Sequence, residues 1–405
     1  MATASPDRHK WEFKARFRRG AFGWRSQPAI QRVKQAVAEI RKVARVDPVL
    51  AAEGAVTLLE RLSPALELVD SSSGAIGTAV NNAIAALVPI VAEAPADART
   101  REGWLERLWA AHEADSMPYI ETLADYWGEL CASKQVAADW ADRLLPITRM
   151  ALSPDKTVRG HFHGTAACLS ALFRAERYAE IVDVLQVDTI WPYKRWAVKS
   201  LAAMGSKAEA IRYAESGRGH WTSDAAVDAI CEEILLSSGL VDEAYSRYGL
   251  RASRGGTYLA TFREVARKYP HKAPRDILAD LASTTPGEEG KWFAAAKEAG
   301  LYEEAIVLAS CTPCDPRTLT RAARDHADER PDFAVRAGML ALHWLSNGYG
   351  YEITGVDVRD AYSTTMRAAE KAGNAGETRA WLAKLAAGER AGGLVASTLG
   401  KELGL

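Results

Sequence analysis

The chain has 405 residues, 48% of them hydrophobic and 25% charged, with a formal net charge of −1. These are ordinary values for a folded protein with ample apolar surface for a core. Five scattered cysteines fit no disulfide framework in a chain this long and point to a reducing compartment. No N-terminal stretch has the apolar core of a secretory signal, and the most apolar segment, 75–92, is interrupted by Asn81 and Asn82. No membrane span is expected, and the expected location is cytoplasmic.

The near-zero charge conceals an asymmetry. Residues 1–45 hold twelve Lys and Arg against three Asp and Glu, so this segment carries +9 and the remainder −10. A basic head on an acidic body suggests an anionic partner, or a head docked on its own body. In the arm, residues 1–25, Lys10, Lys14, Arg16, Arg18, Arg19 and Arg25 alternate with Trp11, Phe13, Phe17, Phe22 and Trp24. Cations neutralise phosphates and aromatic rings stack on unpaired bases, so the mixture suits single-stranded nucleic acid or an acidic protein groove. Arg32, Lys34, Arg41, Lys42 and Arg45 broaden the field, placing the nucleic-acid reading over residues 8–45. The candidate partner-binding residues are Lys10, Trp11, Lys14, Arg16, Phe17, Arg18, Arg19, Trp24 and Arg25. Two other readings stay open: rings packed on the first helices with the charges solvated, and a basic amphipathic element on a membrane surface.

Residues 26–153 read as an irregular helical bundle. Ser26 before Pro28, and Asp47 before Pro48, pair an oxygen cap with a proline at a helix start. The second of these helices is expected to break at Ser63-Pro64. Asp70-Ser71-Ser72-Ser73-Gly74 reads as a cap loop before a helix of small residues. Further helices are expected over 73–93, 98–114, 117–131 and 134–151, with Trp104, Trp109, Trp127 and Trp140 as core residues between them.

A polar turn at Ser153-Pro154-Asp155 marks an expected boundary, and residues 154–405 become repetitive. A Gly followed by Glu-Ala four residues on occurs as Gly205/Glu209/Ala210, Gly239/Glu243/Ala244 and Gly300/Glu304/Ala305. Weaker echoes are Gly373/Glu377/Thr378 and Glu176/Glu180/Ile181. Gly accepts the left-handed conformation that ends one helix, the next begins within a few residues, and its small Ala lets the two approach. The first two full copies are 34 residues apart; later spacings of 61 and 73 leave room for a degenerate copy inside each.

This turn resembles that of tetratricopeptide repeats, where Gly, an acidic residue and Ala recur at similar positions. The likeness covers roughly residues 160–390. More broadly, the segments Trp11–Trp24, Asp70–Gly77 and Gly348–Asp357 are similar to those of a family of uncharacterised bacterial helical-repeat proteins. That resemblance implies a bacterial cytoplasmic protein and carries no activity or site residues.

Other motifs weigh toward structure. His161, His163 and Cys168 are zinc-capable, but residues two apart on a helix face different ways, and no fourth ligand follows at a recognisable spacing. Cys311-Thr-Pro-Cys314 lacks the strand context of a redox pair, although Cys314 precedes the helix start at Asp315-Pro316, where a thiolate gains some stabilisation. Ser346–Gly355, rich in Gly and Tyr, and Trp191–Trp196 read as a connector and a packed helix start. No nucleophile elbow, metal-binding His pair or dinucleotide fingerprint is present in the sequence.

The expected fold is all-α: an α-solenoid of antiparallel, degenerate tetratricopeptide-like helix pairs behind an irregular N-terminal helical bundle. The expected function is a non-enzymatic scaffold binding a protein or peptide, with no cofactor and no metal. The alternatives are nucleic-acid binding through the basic arm, and an enzyme acting on nucleic acid from a site between helices. The sequence does not specify the oligomeric state.

Overall fold

Helix starts follow the caps written in the sequence. Asp47 accepts the Leu50 N–H at 2.9 Å and Pro48 opens α2 (Pro48–Leu66). Asp97, Ser133, Thr257, Asp315 and Thr354 cap five later helices in the same way. Ser26, by contrast, is the first residue of α1 (Ser26–Ala44), and Arg25 holds the cap position without a side-chain bond.

The computed structural model describes residues 9–186, 190–219, 222–253, 255–390 and 392–404. Among them, regular structure is helical, apart from an isolated bridge between Gly219 and Thr222. The chain divides into two units, Met1–Ser223 and Asp224–Leu405.

In the first unit α1 and α2 pack on α3 (Ala75–Glu93), and α2 also packs on α4 (Ala98–Glu113). The expected break at Ser63-Pro64 does not occur. Pro64 sits in the last turn of α2, where only one intrahelical bond is lost, and its carbonyl accepts the Gly20 N–H at 2.9 Å. The expected helix over 117–131 is instead a 3-10 turn, Glu121–Tyr126, followed by α5 (Trp127–Leu130). Tertiary anchors override propensity here. Asp115 accepts the Ile120 N–H at 2.8 Å, and the Gly128 N–H donates to Ser170 Oγ at 2.9 Å. The four tryptophans are buried as expected, with the rings of Trp109, Trp127 and Trp140 in mutual contact, their centroids 5.0–5.6 Å apart.

Helix α6 (Lys134–Ala151) packs on α7 (Thr165–Arg174), and two pairs follow: α7 with α8 (Tyr178–Val184), and α9 (Trp191–Ala203) with α10 (Lys207–Glu215). The second unit continues with α11 (Asp224–Leu236), α12 (Val241–Ala244), a π-wound turn at Tyr245–Gly249 and α13 (Leu250–Ala252). It then pairs α14 (Tyr258–Lys268) with α15 (Pro274–Ser283), α16 (Phe293–Glu298) with α17 (Tyr302–Cys311), α18 (Pro316–His326) with α19 (Pro331–Ser346), and α20 (Gly355–Ala372) with α21 (Ala375–Ala387), before α22 (Leu394–Leu403).

The Gly/Glu/Ala turns share one geometry. Gly205, Gly239, Gly300 and Gly373 have φ of +87°, +73°, +74° and +75°. After each glycine, the next N–H reaches back to close the first helix: Ser206 to Leu201, Leu240 to Leu235, Leu301 to Ala296 and Asn374 to Ala369, at 2.9–3.0 Å. Ala210, Ala244, Ala305 and Thr378 are buried where the second helix meets the first. Glu176 makes the same turn with φ +61° and no glycine. Each long spacing contains a further helix pair without this turn. The pairs α14/α15 and α18/α19 begin their second helices at Pro274 and Pro331.

Candidate partner-binding face

Residues 1–8 of the arm, Arg8 included, lie outside the described residues. The remainder is folded onto α1 and α2. Trp11, Phe13 and Phe17 are buried, each ring contacting the next, and Phe22 extends the row. The backbone is fastened on both sides. The Glu39 carboxylate accepts the N–H groups of Glu12 and Phe13 at 2.8 and 3.3 Å. Arg61 Nη1 donates to the carbonyls of Lys14 and Phe17 at 3.2 and 3.3 Å.

This clamp sorts the candidate residues. Trp11 and Phe17 belong to the core, so the stacking platform expected of them is not on the surface. Lys10, Lys14, Arg16, Arg18, Arg19 and Arg25 are exposed. Arg16 lies 3.8 Å from Glu12, Arg19 pairs with Glu67 at 3.1 Å, and Arg18 donates to the Ala15 carbonyl at 3.0 Å. Trp24 alone of the candidate rings faces solvent, 72% exposed.

The cations of α1 are arranged differently. Lys34, Arg41, Lys42 and Arg45 are exposed along one side of the helix, and none makes an ion pair among the described residues. Elsewhere arginines are matched to carboxylates: Arg107 pairs with Glu53 and Glu60 at 2.7 and 2.9 Å, and Arg177 with Asp142 and Glu180 at 2.5 and 2.6 Å. The α1 stripe borders a groove of about 670 Å³, whose other side is Ala79, Asn82, Ala83 and Ala86 of α3. Sequence reasoning named the α1 cations but missed this wall. Its signal was the complete lack of charged residues from Ala75 to Ala92. By length and composition α3 is apolar enough to cross a membrane, with a mean hydropathy of 1.7, yet Ile76, Val80, Ile84, Leu87 and Val88 are buried inside the unit.

The other motifs are held by packing. His161 and His163 lie in a loop, their rings 4.7 Å apart, while Cys168 is buried on α7 and its thiol is pushed up to about 11 by burial. Among the described residues no three His, Cys, Asp or Glu converge on a metal-sized site. Cys314 corrects an expectation: burial, reinforced by Asp315, pushes its thiol up to about 12, the reverse of thiolate stabilisation. Lys194, in the Trp191–Trp196 segment, is buried, donates to Ser216 at 2.9 Å and sits 4.4 Å from the Tyr213 ring centre. In the Ser346–Gly355 connector, Arg317 holds the Glu352 carbonyl at 3.0 Å and the Asp357 carboxylate at 2.7 Å.

The second unit also contains a buried polar cluster that no motif announced. Glu232 accepts from Lys268 at 2.8 Å and from Tyr269 at 2.6 Å, and Lys268 also donates to Ser253 at 3.0 Å. Asp228 pairs with Arg251 at 3.1 Å. These charges are matched within the cluster, which cements α11 to α14 beside the π-wound turn.

Compared with protein-family models and with curated proteins, the chain matches none.

Proposed function

We propose that the protein is a non-enzymatic helical scaffold that binds an acidic protein or peptide through the outer side of α1. The observation behind this reading is the unneutralised stripe of Lys34, Arg41, Lys42 and Arg45 in a protein that otherwise matches many of its arginines to carboxylates. Unpaired surface cations on a rigid helix create a positive field that an anionic partner satisfies. A second reading, single-stranded nucleic acid, draws on exposed Trp24 beside Arg25. It is the weaker of the two, because Trp11, Phe13 and Phe17 are spent in the core and leave one ring for stacking. Both readings accord with a location where thiols stay reduced.

The test is titration of labelled polyglutamate and a single-stranded oligonucleotide at about 50 and about 200 mM salt, with the native protein and with Lys34→Glu/Arg41→Glu/Arg45→Glu. The expected result is salt-sensitive polyglutamate binding that the triple variant loses. Tight oligonucleotide binding with no polyglutamate binding would transfer the function to the second reading.

A further inference from the structure

We infer that the seam between α1 and α3 is a docking groove for an acidic amphipathic α-helix supplied by a partner protein, an inference that rests on the protein-binding reading above. Three features of the seam converge on that occupant. Its length fits: Lys34, Ala38, Arg41 and Arg45 recur at helical spacing, and the twelve residues from Lys34 to Arg45 span roughly 17 Å, about three turns. Its floor fits: Val33, Val37 and Ala83 are buried between the helices, and Ala38, Ala79 and Ala86 are small enough for a third backbone to approach. Its walls fit: α1 offers Lys34, Arg41, Lys42 and Arg45, and α3 offers only uncharged side chains.

A helix lying in this seam puts an apolar ridge on the alanine floor and a row of carboxylates against α1. A nucleic-acid backbone would satisfy the same cations but would set solvated phosphates against Ala79, Ala83 and Ala86 of the uncharged α3 wall, a mismatch that the apolar ridge of a protein helix avoids. The uncharged surface of α3 thereby acquires a use. Asn82 and Ala85 are exposed, and Ala79 and Ala86 half-buried, on a helix with no charge of its own over eighteen residues, 75–92.

The probe is a fluorescein-labelled helical peptide of about eighteen residues with Ala and Leu on one face and Glu along one edge at i, i+4, i+7 and i+11. Its control has the same composition with Glu distributed around the helix. The patterned peptide is expected to bind at least about tenfold more tightly than the control. Ala38→Trp, at an exposed position, fills the seam and leaves every cation in place. Together with Asn82→Trp, exposed on the facing wall, as a second plug, it is expected to abolish peptide binding, keep polyglutamate binding and leave the circular-dichroism melt unchanged. Equal binding of the two peptides, or indifference to both plugs, overturns the groove. If polyglutamate binding then still depends on Lys34, Arg41 and Arg45, the protein-binding reading survives; if nothing binds, both fall. Tighter, plug-sensitive binding of an oligonucleotide or of phosphatidylserine vesicles would overturn the inference in favour of that ligand.

Discussion

The indole of Trp11 lies across Gly54 of α2, where a methyl group would come within 2.3 Å of the ring. The absence of a side chain at residue 54 is what lets the arm reach the core. Gly54→Ala improves helix propensity locally but displaces the ring, and overpacking of this kind costs about 1–3 kcal/mol. The variant is expected to show a lower urea midpoint and red-shifted tryptophan emission in the native state. An unchanged midpoint would mean that the arm does not dock as described.

Glycines in turns and a helical glycine with open space around it should respond in opposite directions. Gly239 and Gly300 hold φ of +73° and +74°, and alanine at either costs roughly 1 kcal/mol. Gly103 lies within α4 with nothing within 4 Å of an added methyl, so Gly103→Ala is expected to stabilise by roughly 0.5–1 kcal/mol. Urea unfolding of the three variants, with equal slopes, would show the sign change.

Thiol reactivity should single out Cys311. It is exposed at the end of α17, while Cys131, Cys168, Cys231 and Cys314 are buried. Burial pushes the Cys131 and Cys314 thiols up to about 12, which removes the reactive thiolate. Native protein treated with a disulfide reagent at neutral pH is expected to release one equivalent quickly and the other four only on unfolding. A second fast thiol that Cys314→Ser removes would restore a redox role to the pair.

Acid should weaken the α18–α20 contact in a defined window. The Arg317 guanidinium beside Asp357 holds that carboxyl at about 2, below its ordinary 3.8. Because the folded value is the lower one, the stabilisation is complete above pH 3.8 and disappears as pH falls through about 2. Arg317 is half exposed, so its removal costs only about 0.5–1 kcal/mol. Arg317→Ala and the native protein are expected to differ in urea midpoint at pH 6 and to converge near pH 2. A difference that persists at the acid end would assign it to packing instead.

The repeating turn was legible because its information is local. A glycine with positive φ, an early acidic residue and a small residue at the contact all lie within six positions, as at Gly205–Ala210. The tryptophan core of α4–α6 was legible from periodicity for the same reason. For the arm the sequence left alternative readings open, and the one in which its rings pack on the first helices while its charges stay solvated is what the structure has; the choice depends on Gly54, forty-three positions from Trp11. The groove wall was hidden, since an uncharged helix such as α3 reads as core until one sees which of its faces is covered. The expected break at Pro64 failed through position: a proline in the last turn of a helix removes one bond, and Gly20 takes over its carbonyl.

The fastening of the arm changes how shortened forms of this protein should be interpreted. Removing residues 1–25 would take Trp11, Phe13 and Phe17 out of the interior and leave Gly54, Glu39 and Arg61 facing an empty trough. Loss of binding by such a fragment would report damaged architecture rather than missing contacts. Charge reversal at the exposed Lys14, Arg18 or Arg25 is the change that separates recognition from folding.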